Sequence, residues 1–306
     1  MPSTVLSFLL GAVLVTPAIS IPHLPLRPRG VPRVAAHLYE KRAEPQTGDD
    51  LPDTDDHPNQ LDQVETAFND ALELCSYVLT DAAYGIDTTS NIYGKYFDEA
   101  DRADVKQVFS TICNGDSAPE GNDMLGNILV QTTDTDNLCE GDDGRVLSYL
   151  NDNDANNPFL VLCPNAFQKK AVTALNGADP EGDTTHYITC DELLSGGDFT
   201  GTGAMSYKMN SLGQTLFHEY THYDAMLNFI YGAPIIDQDD ADGNPIGYGP
   251  VQVRSLDKAL SPLNADSYAY YAAEVLWTTL CQADFADPVA GRDDADPSCN
   301  DEPCEE

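Results

Sequence analysis

The chain has 306 residues, and 15 basic side chains stand against 51 acidic ones, for a formal net charge of −36. A surface of that sign repels nucleic acid and anionic membranes and attracts cationic proteins or peptides. Beyond the N-terminal leader no stretch is apolar enough to cross a bilayer, so neither nucleic-acid binding nor membrane insertion is expected.

The opening MPSTVLSFLLGAVLVTPAIS reads as a secretory signal peptide, residues 1–20. Its apolar run is too short for a membrane span, and Ala18-Ile19-Ser20 fits a small-x-small cleavage site. Residues 21–42 are rich in Pro and Arg and end in the dibasic pair Lys41-Arg42, the pattern of a removable basic pro-segment and hence of a zymogen. Without residues 1–42, ten basic side chains remain against 50 acidic ones, a formal charge of −40. Residues 43–58 are polar, acidic and aperiodic, and read as a disordered leader. Residues 59–306 are expected to form one domain that closes in an acidic tail. The mature protein is expected outside the cell, as a monomer.

From Asn59 the pattern is helical: Leu61, Val64, Phe68, Leu72, Cys75 and Leu79 line one face. A second helix is expected over 103–113, with Val105, Val108, Phe109 and Ile112 inward and Asn114-Gly115 as its stop. Residues 128–132, 146–150 and 159–162 read as short strands separated by Asp- and Asn-rich loops. A short helix is expected over 166–175, irregular structure over 176–206, and two strong helices over 211–229 and 265–280. All eight cysteines (75, 113, 139, 163, 190, 281, 299 and 304) follow the leader. An even count in that setting implies up to four disulfides, and the absence of CxxC pairs argues against a cysteine zinc site. No N-x-[ST] sequon occurs.

The chemistry concentrates in TLFHEYTHYD. Helical spacing puts His218 and His222 on one face, one turn apart, where two neutral imidazoles can hold one ion. Glu219 sits one residue round the helix, in reach of a water on that ion. This is the HExxH pattern: two histidines on zinc, with the glutamate as general base. Asn210 or Ser211 can cap the start of the helix and Gly232 can end it. Zinc needs a third protein ligand. His222 is the last histidine, so a carboxylate must serve, either in APIIDQDDADGNPIGYGP or at Glu274. A calcium loop in that acidic run fails on spacing, because Gly243 as the turn glycine would put Gln238 first and Gly249 last.

HEYTH, Tyr248-Gly249 and NADSYA at 264–269 follow one another as in the fungal deuterolysins and lysine-specific metalloendopeptidases, the aspzincins, and residues 120–281 resemble that family. The family's Gly-Thr before the aspartate is absent here, and the spacing to Tyr-Gly is stretched across residues 238–247. The resemblance implies an α+β, zincin-like metalloprotease fold, helical with a small sheet, whose active-site helix bears HExxH. It also implies a loop aspartate as third zinc ligand, Tyr248 as donor to the oxyanion, and a Cys139–Cys163 disulfide. Asp237 is the choice among Asp237, Asp239, Asp240 and Asp242, because Pro234-Ile235-Ile236 should fix its backbone; Asp242 is second. Asn264 reads as a helix cap, and Asp266 as a candidate hydrogen-bond partner for a zinc histidine. The expected function is a secreted Zn2+ metalloendopeptidase acting on protein or peptide substrates, basic ones among them. A secreted zinc-binding antigen or scavenger with little turnover is the alternative.

Overall fold

A computed structural model describes residues 44–51, 60–115, 120–139, 146–172, 187–194 and 203–288. The signal peptide, the pro-segment and the acidic tail with Cys299 and Cys304 lie outside the described residues, as does most of 176–206. The first predicted helix is α1, Gln60–Thr80, which buries Val64, Phe68, Leu72, Cys75 and Leu79 as its periodicity requires. A short helix the pattern did not suggest, α2 (Ile92–Tyr96), precedes α3 (Arg102–Cys113). Asn114 ends α3 in the left-handed conformation, φ 61°, a role its short polar side chain suits.

The sheet is small and mixed, in the order β1-β2-β4-β3. Three strands lie where the β-branched and aromatic runs put them: β2 (Leu129–Gln131), β3 (Ser148–Asn151) and β4 (Phe159–Leu162). β3 pairs antiparallel with β4 and occupies one edge. At the other edge, residues 44–51 depart from the reading of 43–58 as disordered, and the remainder of that segment lies outside the described residues. Gln46–Thr47 form β1, parallel to β2, and the Asp50 carboxylate accepts from the backbone N–H groups of Thr132 (2.9 Å) and Thr133 (2.6 Å). One polar side chain thus pins a segment that composition alone makes look unstructured.

Two further expectations are corrected. The short helix over 166–175 is a 3-10 turn, Pro164–Gln168, followed by the strand β5, Ala171–Val172, which pairs with β6, Tyr187–Ile188. Other segments of the chain take the main-chain groups a helix would need: Val172 N–H donates to Asp70, and Lys170 O accepts from Leu212 N–H. The helix over 211–229 is two helices, α5 (Leu212–Thr221) and α6 (Asp224–Tyr231). Thr221 Oγ1 donates back to His218 O at 2.6 Å, and Asp224 N–H turns to the Asp152 carboxylate at 2.9 Å, so the hydrogen-bond ladder breaks between them. Gly232 ends α6, as expected.

The fourth helix, the short α4 (Cys190–Leu194), precedes α5, and α7 (Gly249–Ser255) and α8 (Ala265–Cys281) complete the set. α5 is buried along its whole length, between α1 and α8 with β3 beside it. Gly213 makes the crossing with α1 close, because a Cβ there would run into Asp70. Phe109 and Phe217 stack at 5.4 Å across the same core, and losing either ring would cost about 3–5 kcal/mol. Disulfides Cys75–Cys113, Cys139–Cys163 and Cys190–Cys281 close loops of 38, 24 and 91 residues. The second is the pair the family resemblance implied. No helix among the described residues is long and apolar enough to cross a membrane.

Candidate metal centre

α5 delivers His218 and Glu219 from its interior, and His222 follows as its C-terminal cap. The helix break after Thr221 leaves the one-turn relation intact: the two Nε2 atoms are 3.0 Å apart. Both rings are oriented from behind. His218 Nδ1 lies 2.8 Å from Asp266 Oδ1, and His222 Nδ1 donates to Ile235 O at 2.9 Å. With each Nδ1 proton committed, both Nε2 lone pairs face the same point.

Asp237 completes the set. Its Oδ1 is 3.3 Å from His218 Nε2 and its Oδ2 3.2 Å from His222 Nε2. The ligand atoms of these three residues lie within 4.8 Å of one another, the one such group of three or more His, Cys, Asp or Glu among the described residues. A tetrahedral ion with ligand bonds of about 2.0–2.1 Å sets its donors about 3.3 Å apart, so two imidazoles and a carboxylate at these separations fit zinc. Burial opposes ionisation of Asp237, but the two imidazoles outweigh it and hold the carboxyl far below the usual range. Burial likewise opposes charge on His218, and Asp237 and Asp266 outweigh it.

The other candidates are elsewhere. Asp239, Asp240 and Asp242 are exposed, and Asp240 shapes a turn by accepting from the N–H groups of Asp242 (2.8 Å) and Asn244 (2.9 Å). Glu274 is fully buried but faces cations: it accepts from Lys95 Nζ (2.5 Å), Arg254 Nη2 (2.5 Å) and Tyr96 OH (2.7 Å). It ties α2, α7 and α8 together.

The stretched spacing between Asp237 and Tyr248 has a local explanation. Residues 238–247 double back on themselves, with the N–H groups of Ile246 and Gly247 both donating to Gln238 O. Asn264 holds the neck: its Oδ1 accepts from Gln238 N–H (3.2 Å) and its Nδ2 donates to Gly247 O (3.0 Å). A Cβ on Gly247 would run into that amide. Asn264 does start α8, yet its side chain makes no cap bond, which corrects the reading of it as a helix cap. Asp237 and Tyr248 flank the neck on either side. Tyr248 is half-buried, its ring stacked toward His218 at 6.5 Å. Burial first, then the negative charge of Asp237 and a hydrogen bond to it, raises its phenol far above the ordinary value, so it remains a proton donor. Asp266 links the same parts, because its second oxygen accepts from Gly249 N–H at 2.6 Å.

Glu219 points the other way, toward β3. Ser148 Oγ donates to its Oε1 at 2.7 Å, and Oε2 is buried without a hydrogen-bond partner among the described residues. Glu219 shares a cavity of about 440 Å³ with His222, Asp237, Leu150 and Ile235. Sequence reasoning missed Ser148: a serine in a strand 71 residues from Glu219 carries no spacing signal. Models of known protein families and the curated proteins contain no match to this chain.

Proposed function

We propose that this chain is a secreted, zinc-dependent metalloendopeptidase. The observation that carries the reading is the pairing of a three-donor cluster with a carboxylate oxygen that lacks a partner on the same cavity. Metal binding alone requires His218, His222 and Asp237, whereas a buried Glu219 Oε2 without a partner is costly unless it has work to do. The likeness of HEYTH, Tyr-Gly and NADSYA to the aspzincins supports the same reading.

When bound, zinc would supply Lewis acidity toward a water and toward the scissile carbonyl. Glu219 Oε2 accepts the proton that the water gives up as its oxygen bonds to the carbonyl carbon. Tyr248 OH donates to the carbonyl oxygen as that oxygen gains charge. Glu219 then returns the proton to the amide nitrogen as the C–N bond breaks. The edge of β3, unpaired among the described residues, offers main-chain partners for an extended peptide, and the acidic surface favours basic ones.

Metal analysis and casein digestion, each with and without chelator, test this directly. Glu219→Gln should fold and hold stoichiometric zinc while losing proteolysis by roughly a hundredfold or more. Full activity in that variant would sink the assignment of the base.

A further inference from the structure

We propose that Ser148 is a positioning residue: it ties the general base to the strand that receives substrate. The inference rests on the peptidase reading above and adds a component to it. Ser148 lies on β3, is 1% exposed, and its hydroxyl is the hydrogen-bond partner of Glu219 Oε1, at 2.7 Å. A glutamate side chain turns about three single bonds. With Oε1 held, the carboxylate plane is fixed and with it the buried Oε2, on a side chain that lines the cavity shared with His222 and Asp237.

The strand that carries Ser148 has a second task. Cys163 N–H donates to Leu147 O, and Ser148 sits opposite Leu162, Tyr149 opposite Val161. In an antiparallel ladder, main-chain groups alternate between the two sides of the strand. Leu147 and Tyr149 therefore turn theirs to β4, and Ser148 and Leu150 turn theirs to the open edge. Leu150, half-buried, thus offers its main chain to an added peptide strand two residues from Ser148, whose side chain holds the base. A substrate laid along this edge acquires its register relative to Glu219 through one short strand. The segment is firmly held, since the Cys139–Cys163 disulfide adjoins the ladder at its Leu147 end.

The two contacts separate experimentally. Ser148→Ala removes the hydroxyl and keeps the main chain; Ser148→Thr keeps both. Steady-state kinetics on a peptide substrate, zinc content and thermal midpoint are measured for each, alone and combined with Glu219→Gln at high enzyme concentration. The expected result for Ser148→Ala is a kcat lower by roughly ten- to a hundredfold, the scale for losing a hydrogen bond to a charged group, with KM, zinc and melting unchanged. Ser148→Thr should restore most of the loss, and Ser148→Ala should add nothing once Glu219 is Gln. Unchanged kcat, a rise in KM alone, or an equal further loss in the Glu219→Gln background would overturn the proposal while leaving the peptidase reading in place. Wild-type turnover in Glu219→Gln, or no peptidase activity at all, would remove the reading and this inference with it.

Discussion

Raising the pH from about 5 to about 7 should weaken the fold through one side chain, Asp70. It is fully buried on α1 against α5, its Oδ2 accepts from Val172 N–H at 2.9 Å, and its Oδ1 has no partner among the described residues. Burial pushes its carboxyl up to about 8, against the opposing Val172 bond and with help from Glu73. An acid whose folded value is raised binds more protons folded than unfolded. Its stabilising contribution is complete below the unfolded value of 3.8 and declines as pH climbs toward 8. Every pH unit in that window removes stability, and the step from about pH 5 to about pH 7 removes on the order of 3 kcal/mol. Asp70→Asn keeps the acceptor for Val172 and cannot ionise. Its unpaired amide lowers stability by an amount that does not vary with pH. Urea unfolding of both proteins at several pH values, with metal content matched, isolates the term as a difference in slope. Parallel stability–pH curves would refute the reasoning and show that Asp70 is ionised in the fold.

Asp237→Ala should lose stoichiometric zinc, whereas Asp239→Ala, Asp240→Ala and Asp242→Ala should keep it; metal analysis after dialysis reads the comparison. Glu274→Gln should retain zinc yet lower stability by about 3–5 kcal/mol in urea unfolding, because Lys95 and Arg254 would keep their charge without the shared buried carboxylate. Asn264→Ala should weaken zinc affinity although it touches no ligand; affinity equal to wild type would mean the neck holds without its amide.

What the sequence revealed follows from the range of each signal. The faces of α1 and α8 and the three strands at 129–131, 148–151 and 159–162 are written in local periodicity, and the structure keeps them. His218 and His222 were legible for the same reason, since one helical turn relates them. Asp237 was separable from its acidic neighbours by the apolar residues before it. The failures all involve contacts made at a distance. β1 depends on Asp50 meeting Thr132 and Thr133, and the break between α5 and α6 depends on Asp152 meeting Asp224 N–H. Asn264 looked like a cap because asparagine before a helix usually is one; besides Ser267 three residues on, its partners lie 26 and 17 residues away. Ser148 gave no sign at all.

The closed neck at Gln238 and Gly247 separates the length of a loop from the geometry of the centre beside it. Asp237 and Tyr248 are held by bonds at the base, and the exposed residues between make their hydrogen bonds mainly to one another. Segments longer or shorter than this one could then occupy the same place with the donors unmoved, at a closure cost that grows only slowly with length. Sequence change can therefore accumulate there without passing through a non-binding intermediate. For the engineer it is a port: a reporter peptide or an affinity tag spliced at the exposed tip would be carried on a loop whose base adjoins Asp237, which lines the cavity.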